Sequence, residues 1–184
     1  VVWLIDPLIG NRNFARGYTQ FAVSLACKVD GVIQHAALVC PMTNEEFVAS
    51  RGGGAQLNSR RLRVGRETEL MTGSLVGING EMEEADTLLA LQRAILECGA
   101  LPRLSGCTAL DIVSTAADRL QGGWAPNTGA ESHSLAAAAL ILKEAGGLIV
   151  SETANPDTTH ASELLFSNPK ILKQLVKMRQ GIKR

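Results

Sequence analysis

The sequence has few aromatic residues and no excess of charge of either sign. Aromatic side chains make up 4% of its 184 residues, and 18 basic residues balance 18 acidic ones. A net charge of zero gives the protein as a whole no electrostatic attraction to nucleic acid or to a membrane surface. We therefore expect no direct binding of nucleic acid.

Long apolar runs and paired cysteines are absent as well. No stretch of about 18 apolar residues occurs, so the sequence predicts no membrane-spanning helix, and no secretory signal pattern is visible. The cysteines are too widely spaced for a C-x-x-C zinc site. We expect them to be reduced and mostly buried, as in a cytoplasmic protein. They are Cys27, Cys40, Cys98 and Cys107.

The composition is that of a folded globular protein, with 46% hydrophobic and 20% charged residues. The length suits one domain, and we assign residues 1–184 to it. The sequence starts without Met inside an apolar run. This start predicts that a preceding segment is cleaved, disordered or not included. A missing N-terminal segment or a second chain would then cover apolar surface.

Apolar alternation and turn residues predict an antiparallel meander in the first third of the chain. Asp30-Gly31 indicates a tight hairpin turn, because both residue types tolerate positive φ. The continuous apolar run at the start predicts a buried strand, followed by a loop over residues 6–17. We expect strands at 1–5, 21–28, 32–40 and 46–50 and an edge strand at 61–64.

Helical periodicity appears in the rest of the chain, which predicts a mixed α/β layered domain. The first helix should bury Leu88, Leu89, Leu91, Ile95 and Leu96. Residues 152–162 indicate a polar loop. We expect helices at 83–98, 108–120, 134–145 and from Pro169 onward, and strands at 74–79, 122–124, 148–151 and 164–167.

The segment of residues 3–14 carries the strongest chemical signal. An apolar strand leads into Asp6 and Pro7, and then into a glycine that could precede a helix. Asp6 could bind a divalent metal together with the Leu8 carbonyl, and the following N–H groups of Gly10 and Asn11 could face a phosphate. Ile9 supplies no side-chain oxygen. The alternative is that Asp6 only caps the turn.

Three further patterns have simpler interpretations. Ser134, next to His133, is a good N-cap for an Ala-rich helix, although that helix start could also hold an anion or a metal. The loop of residues 51–54 lacks the Lys-Ser/Thr of a phosphate-binding loop, so we interpret it as a hairpin turn. His35 and His160 have no partner at a recognisable spacing, and no catalytic triad stands out.

Basic residues cluster at two places in the sequence. We interpret both clusters as solvated faces, with contact to RNA or an acidic partner as the alternative. The clusters are Arg60, Arg61, Arg63 and Arg66, and Lys170, Lys173, Lys177, Lys183 and Arg184.

Several motifs, taken together and in order, resemble the inositol monophosphatase family, and most closely its bacterial extragenic-suppressor branch. The resemblance implies an αβαβα sandwich whose N-terminal helices and first metal-site segment are missing here. It also implies Mg²⁺ dependence, in-line attack by a metal-activated water, and a homodimer. The motifs are Trp3-x-Ile5-Asp6-Pro7-Leu8, Asn13-Phe14, Ala22-Val23-Ser24-Leu25, Gly53-Gly54-Ala55-x-Leu57-Asn58 and Glu144-Ala145-Gly146-Gly147.

Carried over by position, the resemblance keeps part of the family's site. Its motif Asp-Pro-Leu/Ile-Asp-Gly-Thr assigns Asp6 and the Leu8 carbonyl to the metal, and the Gly10 amide to phosphate. Asn11 stands where the family has the Thr that positions the attacking water.

The remaining site positions of the family have changed. Ile9 and Ser134 replace two metal-binding Asp residues, and Ala125 replaces a substrate-binding Glu if residues 127–130 form a short insertion. Mg²⁺ binding should therefore be weak or absent.

Two functions follow from this pattern and remain open. The first is a catalytically impaired member of the family that acts as a binding or regulatory subunit. Its partner would be a transcription- or ribosome-associated protein, as the resemblance to the extragenic-suppressor branch implies. The second is an active Mg²⁺-dependent phosphatase of inositol monophosphate or a related sugar phosphate. Asp30, Asp111 or an upstream segment would then have to supply the missing ligands.

Overall fold

The computed structural model describes residues 1–126, 132–153 and 162–182. The first part of the chain forms an antiparallel sheet whose strands lie in sequence order, as predicted. Asp30 and Gly31 form the predicted hairpin turn with φ of 48° and 79°. The strands are β1 (Val2–Ile9), β2 (Ala22–Val29), β3 (Val32–Cys40), β4 (Glu45–Ser50), β5 (Gly54–Leu57) and β6 (Arg60–Arg61), and the short helix α1 (Asn11–Ala15) follows β1.

A second sheet with mixed strand directions follows, in the order β10-β11-β9-β7-β8. β7 pairs in parallel with β8 and β9, and the other pairs are antiparallel. Its strands are β7 (Leu75–Ile78), β8 (Leu101–Arg103), β9 (Gly122–Ala125), β10 (Leu148–Thr153) and β11 (Ser162–Ser167). The helices are α2 (Ala85–Glu97), α3 (Thr108–Ala116), α4 (Ala136–Glu144) and α5 (Pro169–Gly181).

The two sheets enclose α3 and α4, and α2 and α5 cover the far face of the second sheet. One apolar core lies between the sheets and includes Phe47 and Ile141, whereas the other includes Leu91, Trp124 and Leu175. The described residues therefore form four layers, sheet–helix–sheet–helix. This is the predicted α/β layered arrangement without an outer helical layer on the first sheet.

Some sequence expectations were wrong. Strand β1 is a half-exposed edge strand, because Trp3 is 59% exposed and Ile5 54% exposed. It continues through a bulge to Ile9, where we expected a loop. The three-residue strand β8 was not predicted. Leu89 and Leu96 are exposed, since α2 packs only through a narrow stripe that contains Leu91 and Ile95.

The outer face of the first sheet is apolar across several strands. The row formed by Ile5, Leu25, Ala37 and Val48 crosses β1 to β4 on this side. Within the described part of the chain, α4 packs on the opposite face of this sheet. An antiparallel sheet that faces water normally carries polar residues outward. The apolar row departs from that pattern.

A buried ion pair attaches α5 to the second sheet. Arg179 Nε donates to Glu163 Oε2 over 2.6 Å, and Trp124 Nε1 donates to the same oxygen over 3.0 Å. Both charged residues are buried. The indole and guanidinium donors satisfy the carboxylate, so the charge is compensated inside the fold.

We predict that Arg179→Ala destabilises the protein by about 3–5 kcal/mol, because it leaves the Glu163 carboxylate buried without its counter-charge. Urea unfolding followed by circular dichroism would measure the loss. Arg93→Ala is the matched control, since the Arg93–Glu97 pair is exposed on α2 and should contribute less than about 0.5 kcal/mol. Equal losses in the two variants would contradict the assignment.

Candidate functional site

The structure brings together two predicted site residues that are far apart in the sequence. Ser134 Oγ donates a hydrogen bond to Asp6 Oδ2 over 2.7 Å. The Leu8 N–H donates to Asp6 Oδ1 over 3.1 Å. Both oxygens of the carboxylate therefore accept hydrogen bonds from the protein itself. This arrangement combines a local turn cap with a contact across the fold.

Ser134 does not cap α4, contrary to the N-cap interpretation. The N-cap residue of this helix is Leu135, which provides no side-chain cap. The Ser134 hydroxyl is directed to Asp6 instead. His133 beside it is exposed. The link from Ser134 thus ties the start of α4 to the edge strand β1.

Residues 9–11 occupy three different environments. Ile9 is 8% exposed and belongs to the apolar core between the sheets. Gly10 has φ of 81°, and a Cβ there would lie 2.6 Å from the Gln20 carbonyl oxygen, so a glycine is required. Asn11 is exposed at the first position of α1. The side chain of Ile9 is therefore a core element rather than a site residue.

Ala125 lies in the interior of the second sheet. It is the last residue of β9, is 1% exposed, and pairs with Leu164 of β11. The insertion expected at residues 127–130 lies outside the described residues. A methyl group at position 125 offers no polar contact to a ligand.

The described residues gathered at Asp6 offer fewer ligands than a magnesium ion usually takes. Mg²⁺ requires octahedral oxygen ligands, usually with one or two carboxylates free to coordinate it. Here the single carboxylate is hydrogen-bonded through both oxygens, and Ile9 is apolar and buried. In residues 1–126, 132–153 and 162–182 no group of three or more His, Cys, Asp and Glu side chains could hold a metal ion.

A cavity of about 570 Å³ opens beside α1. Its lining is largely polar and includes three glutamates and Arg12, which pairs with Glu81. The Asn79 side chain organises the floor, because its Oδ1 accepts from the Gly106 N–H over 2.9 Å and its Nδ2 donates to Asp111 Oδ2 over 2.7 Å. The cavity is lined by Arg12, Asn13, Asn79, Glu81, Gly106 and Thr108, among others.

The glycine-rich loop holds a carboxylate and not a phosphate. Glu144 Oε1 accepts from the Gly52 N–H, and its Oε2 accepts from the Gly54 N–H, each over 2.9 Å. Glu144 is the last residue of α4. The hairpin-turn interpretation of this loop is confirmed, since it connects β4 to β5. The loop amides thus bind the end of α4 to the first sheet.

The sequence profile of the inositol monophosphatase family matches residues 1–183. The chain belongs to the inositol monophosphatase family. It is 38% identical over 181 residues to the Nus factor SuhB of Pseudomonas aeruginosa, which covers 95% of this chain and 65% of that relative. It is 34% identical over 177 residues to the inositol-1-monophosphatase of Rhizobium meliloti, covering 94% and 65% of the two proteins.

Solved structures of family members agree with the fold. The extragenic suppressor protein SuhB of Bartonella henselae superposes with a TM-score of 0.86 at 29% identity, covering 97% of this chain and 70% of that one. The inositol monophosphatase of Anabaena gives 0.84 at 28% identity, covering 98% and 75%. The chain spans about two thirds of the length of the relatives that it matches by sequence.

The alternative metal ligands suggested by the sequence do not join Asp6. Asp30 lies in the β2–β3 turn, six residues along β2 from Ser24, the cross-strand partner of Asp6. At about 3.3 Å per residue this is a separation of roughly 20 Å. Asp111 is hydrogen-bonded to Asn79 beside the cavity.

Among the described helices, none has the length and apolar character of a membrane span.

The hydrogen bond between Asn79 and Asp111 at the cavity beside α1 could not be predicted from the sequence. Asn79 follows a strand and Asp111 lies within a helix, and neither position has a local signal for such a contact. Burial raises the pKa of Asp111 to about 6, although hydrogen bonds from Ser105 and Asn79 act to lower it.

Burial also raises the pKa of Cys107 to about 12, so this thiol is unreactive at neutral pH.

We predict that Asp111 makes stability fall as pH rises. Its folded pKa lies above the ordinary value of 3.8, so its contribution is fully present below pH 3.8 and is lost as pH rises through about 6. A shift of this size corresponds to about 3 kcal/mol.

The Asp111→Asn variant removes this titration. Urea unfolding of both proteins between pH 4 and pH 7 should show the variant gaining stability relative to the parent as pH increases. A difference in stability that stays constant over this range would contradict the assignment.

Proposed function

We propose that the protein is a catalytically impaired member of the inositol monophosphatase family that works as a binding or regulatory subunit. The observation that carries this proposal is the hydrogen bond from Ser134 to Asp6. At the place where the family resemblance puts a metal, the described residues supply one carboxylate, and Ser134 offers a hydroxyl where the family's motif has a second. Ile9 and Ala125, both buried and apolar, add no ligand.

The partner in this proposal is a transcription-associated protein. Support comes from relatives in several bacteria that are named Nus factor SuhB, including one in Pseudomonas aeruginosa at 38% identity and one in Vibrio cholerae at 34%. A binding role of this kind needs a stable fold and an accessible surface, and needs no metal.

The apolar outer face of the first sheet supports a further part of the proposal, namely that a second copy or a further segment of chain packs there. Trp3 and Ile5 are more than half exposed on this face. Burying such side chains stabilises association by roughly 25 cal/mol per Å² of apolar surface removed from water. A homodimer or a preceding segment would each provide that burial.

The second candidate function is Mg²⁺-dependent hydrolysis of inositol monophosphate or a related sugar phosphate. It is favoured by relatives named inositol-1-monophosphatase, at 33–34% identity, and by the polar cavity beside α1. This function would require carboxylates that the described residues do not place near Asp6.

Phosphate release from inositol 1-phosphate in the presence of Mg²⁺ distinguishes the two functions. We predict turnover at the background level, unchanged in Asp6→Asn, because an impaired site would not use Asp6 to hold a catalytic metal. Asp86→Asn, at an exposed position in α2, is the matched control. Robust turnover that Asp6→Asn lowers by about 100-fold or more, and that Asp86→Asn leaves intact, would overturn the impaired-enzyme proposal.

Restoring the carboxylates tests the same site without relying on activity. We predict that the double variant Ile9→Asp/Ser134→Asp is destabilised by several kcal/mol in chelator, because it crowds three carboxylates around a partly buried site. Mg²⁺ should then raise its melting temperature and leave that of the parent unchanged. An equal Mg²⁺-dependent rise in the parent would show that the native residues already bind the metal.

A further inference from the structure

Four exposed cations converge around the glycine-rich loop at the C-terminal end of α4. Arg51 begins that loop, and Lys143 lines a shallow depression with it. Arg63 Nη1 donates to the Glu144 carbonyl over 3.4 Å. The guanidinium of Arg61 lies 3.8 Å from the position that a Cβ on Gly54 would occupy. We call Arg51, Arg61, Arg63 and Lys143 the loop cations.

The loop cations have no carboxylate partner in the part of the chain that the structure describes. The ion pairs of Arg12, Arg93, Arg119 and Arg179 all lie elsewhere. Glu144 lies at the centre of the group, but its two oxygens accept from the Gly52 and Gly54 N–H groups. Asp30 is the acidic residue of the neighbouring hairpin turn, next to Gly31 at the edge of the depression. The surface is therefore positive although the protein as a whole is neutral.

The surroundings of the loop cations indicate what kind of polyanion fits. None of the described residues that line the depression is aromatic, and its apolar lining includes Val32, Ile33 and Leu140. Stacking on nucleotide bases mostly uses aromatic side chains, and protein interfaces usually centre on large anchor side chains in well-packed, fully buried pockets. Val32, at 42% exposed, is too small to serve as one. Guanidinium groups that lack such anchors nearby can still bind the phosphate groups of a nucleic-acid backbone through paired N–H donors.

We infer that the loop cations form a binding surface for the phosphodiester backbone of a nucleic acid, without base selectivity. The surface is separate from the Asp6 site. Ser134 precedes the first turn of α4 and Glu144 ends it, so the two sites are roughly 12–15 Å apart at 1.5 Å per residue. Binding here needs neither metal nor catalysis at Asp6.

Fluorescence anisotropy of the full chain with a labelled 20-nucleotide RNA, and with DNA of the same sequence, tests this inference. Neutralising three or four phosphates predicts that log K falls with log[salt] with a slope of about −2 to −3 on a single strand. Binding to both RNA and DNA supports recognition of the phosphodiester backbone. Binding to only one of them shows which of the two nucleic acids the surface takes. A labelled acidic peptide of equal charge should bind at least tenfold more weakly.

Charge variants locate the surface. Arg61→Glu/Lys143→Glu should weaken binding by at least tenfold and make the salt slope shallower by about 1.4, the value for two lost phosphate contacts. Lys173→Glu/Lys177→Glu is the matched control, because it makes the same charge change at exposed positions of α5 and should alter binding by less than twofold.

The Asp30→Asn variant should change the affinity in the opposite direction, and it does so without introducing a new charge. Removing this carboxylate should tighten binding by about twofold, since it raises the local positive potential. Circular dichroism confirms that each variant is folded. Absent nucleic-acid binding, equal losses in the two double variants, or tighter binding of the acidic peptide than of RNA would each overturn the inference.

Discussion

Helix α4 is held to the first sheet at both ends by hydrogen bonds to carboxylates, and the layered fold depends on this attachment. At its start Ser134 bonds to Asp6, and at its end Glu144 accepts from the glycine-rich loop. Between the two ends, residues 136–142 of the helix are all buried. Four consecutive alanines let the helix approach the sheet closely, so packing and the terminal bonds reinforce each other.

This attachment gives Asp6 and Ser134 a structural task. Two hydrogen bonds from the protein fix the position of the Asp6 carboxylate. Ile9 extends the apolar core to the edge strand. Residues at the position of the family's site are thus also part of the framework that holds the edge strand and the central helix together.

The strands, the hairpin and most helices could be predicted because each has a local signal. Asp30-Gly31 fixes its turn, and the alternation over β3 gave the bounds Val32–Cys40 that the structure has. The three-residue strand β8 has too little sequence to show a period.

The sites were harder to predict, because they depend on contacts across the fold. The Ser134–Asp6 bond joins residues 128 positions apart, and Asn79 and Asp111 meet only once β7 and α3 are packed. Family resemblance brought Asp6 and Ser134 to attention, but no local rule could show that they bond to each other.

The burial of Ile9 has a consequence for the evolution of the protein. By resemblance, the family's motif has an Asp at this position, where a bound cation would neutralise its charge. With an aliphatic side chain filling that space, a single change to Asp would place an uncompensated charge in the core. Under the proposed function, sequence change would therefore elaborate new binding surfaces more easily than it would recover metal chemistry.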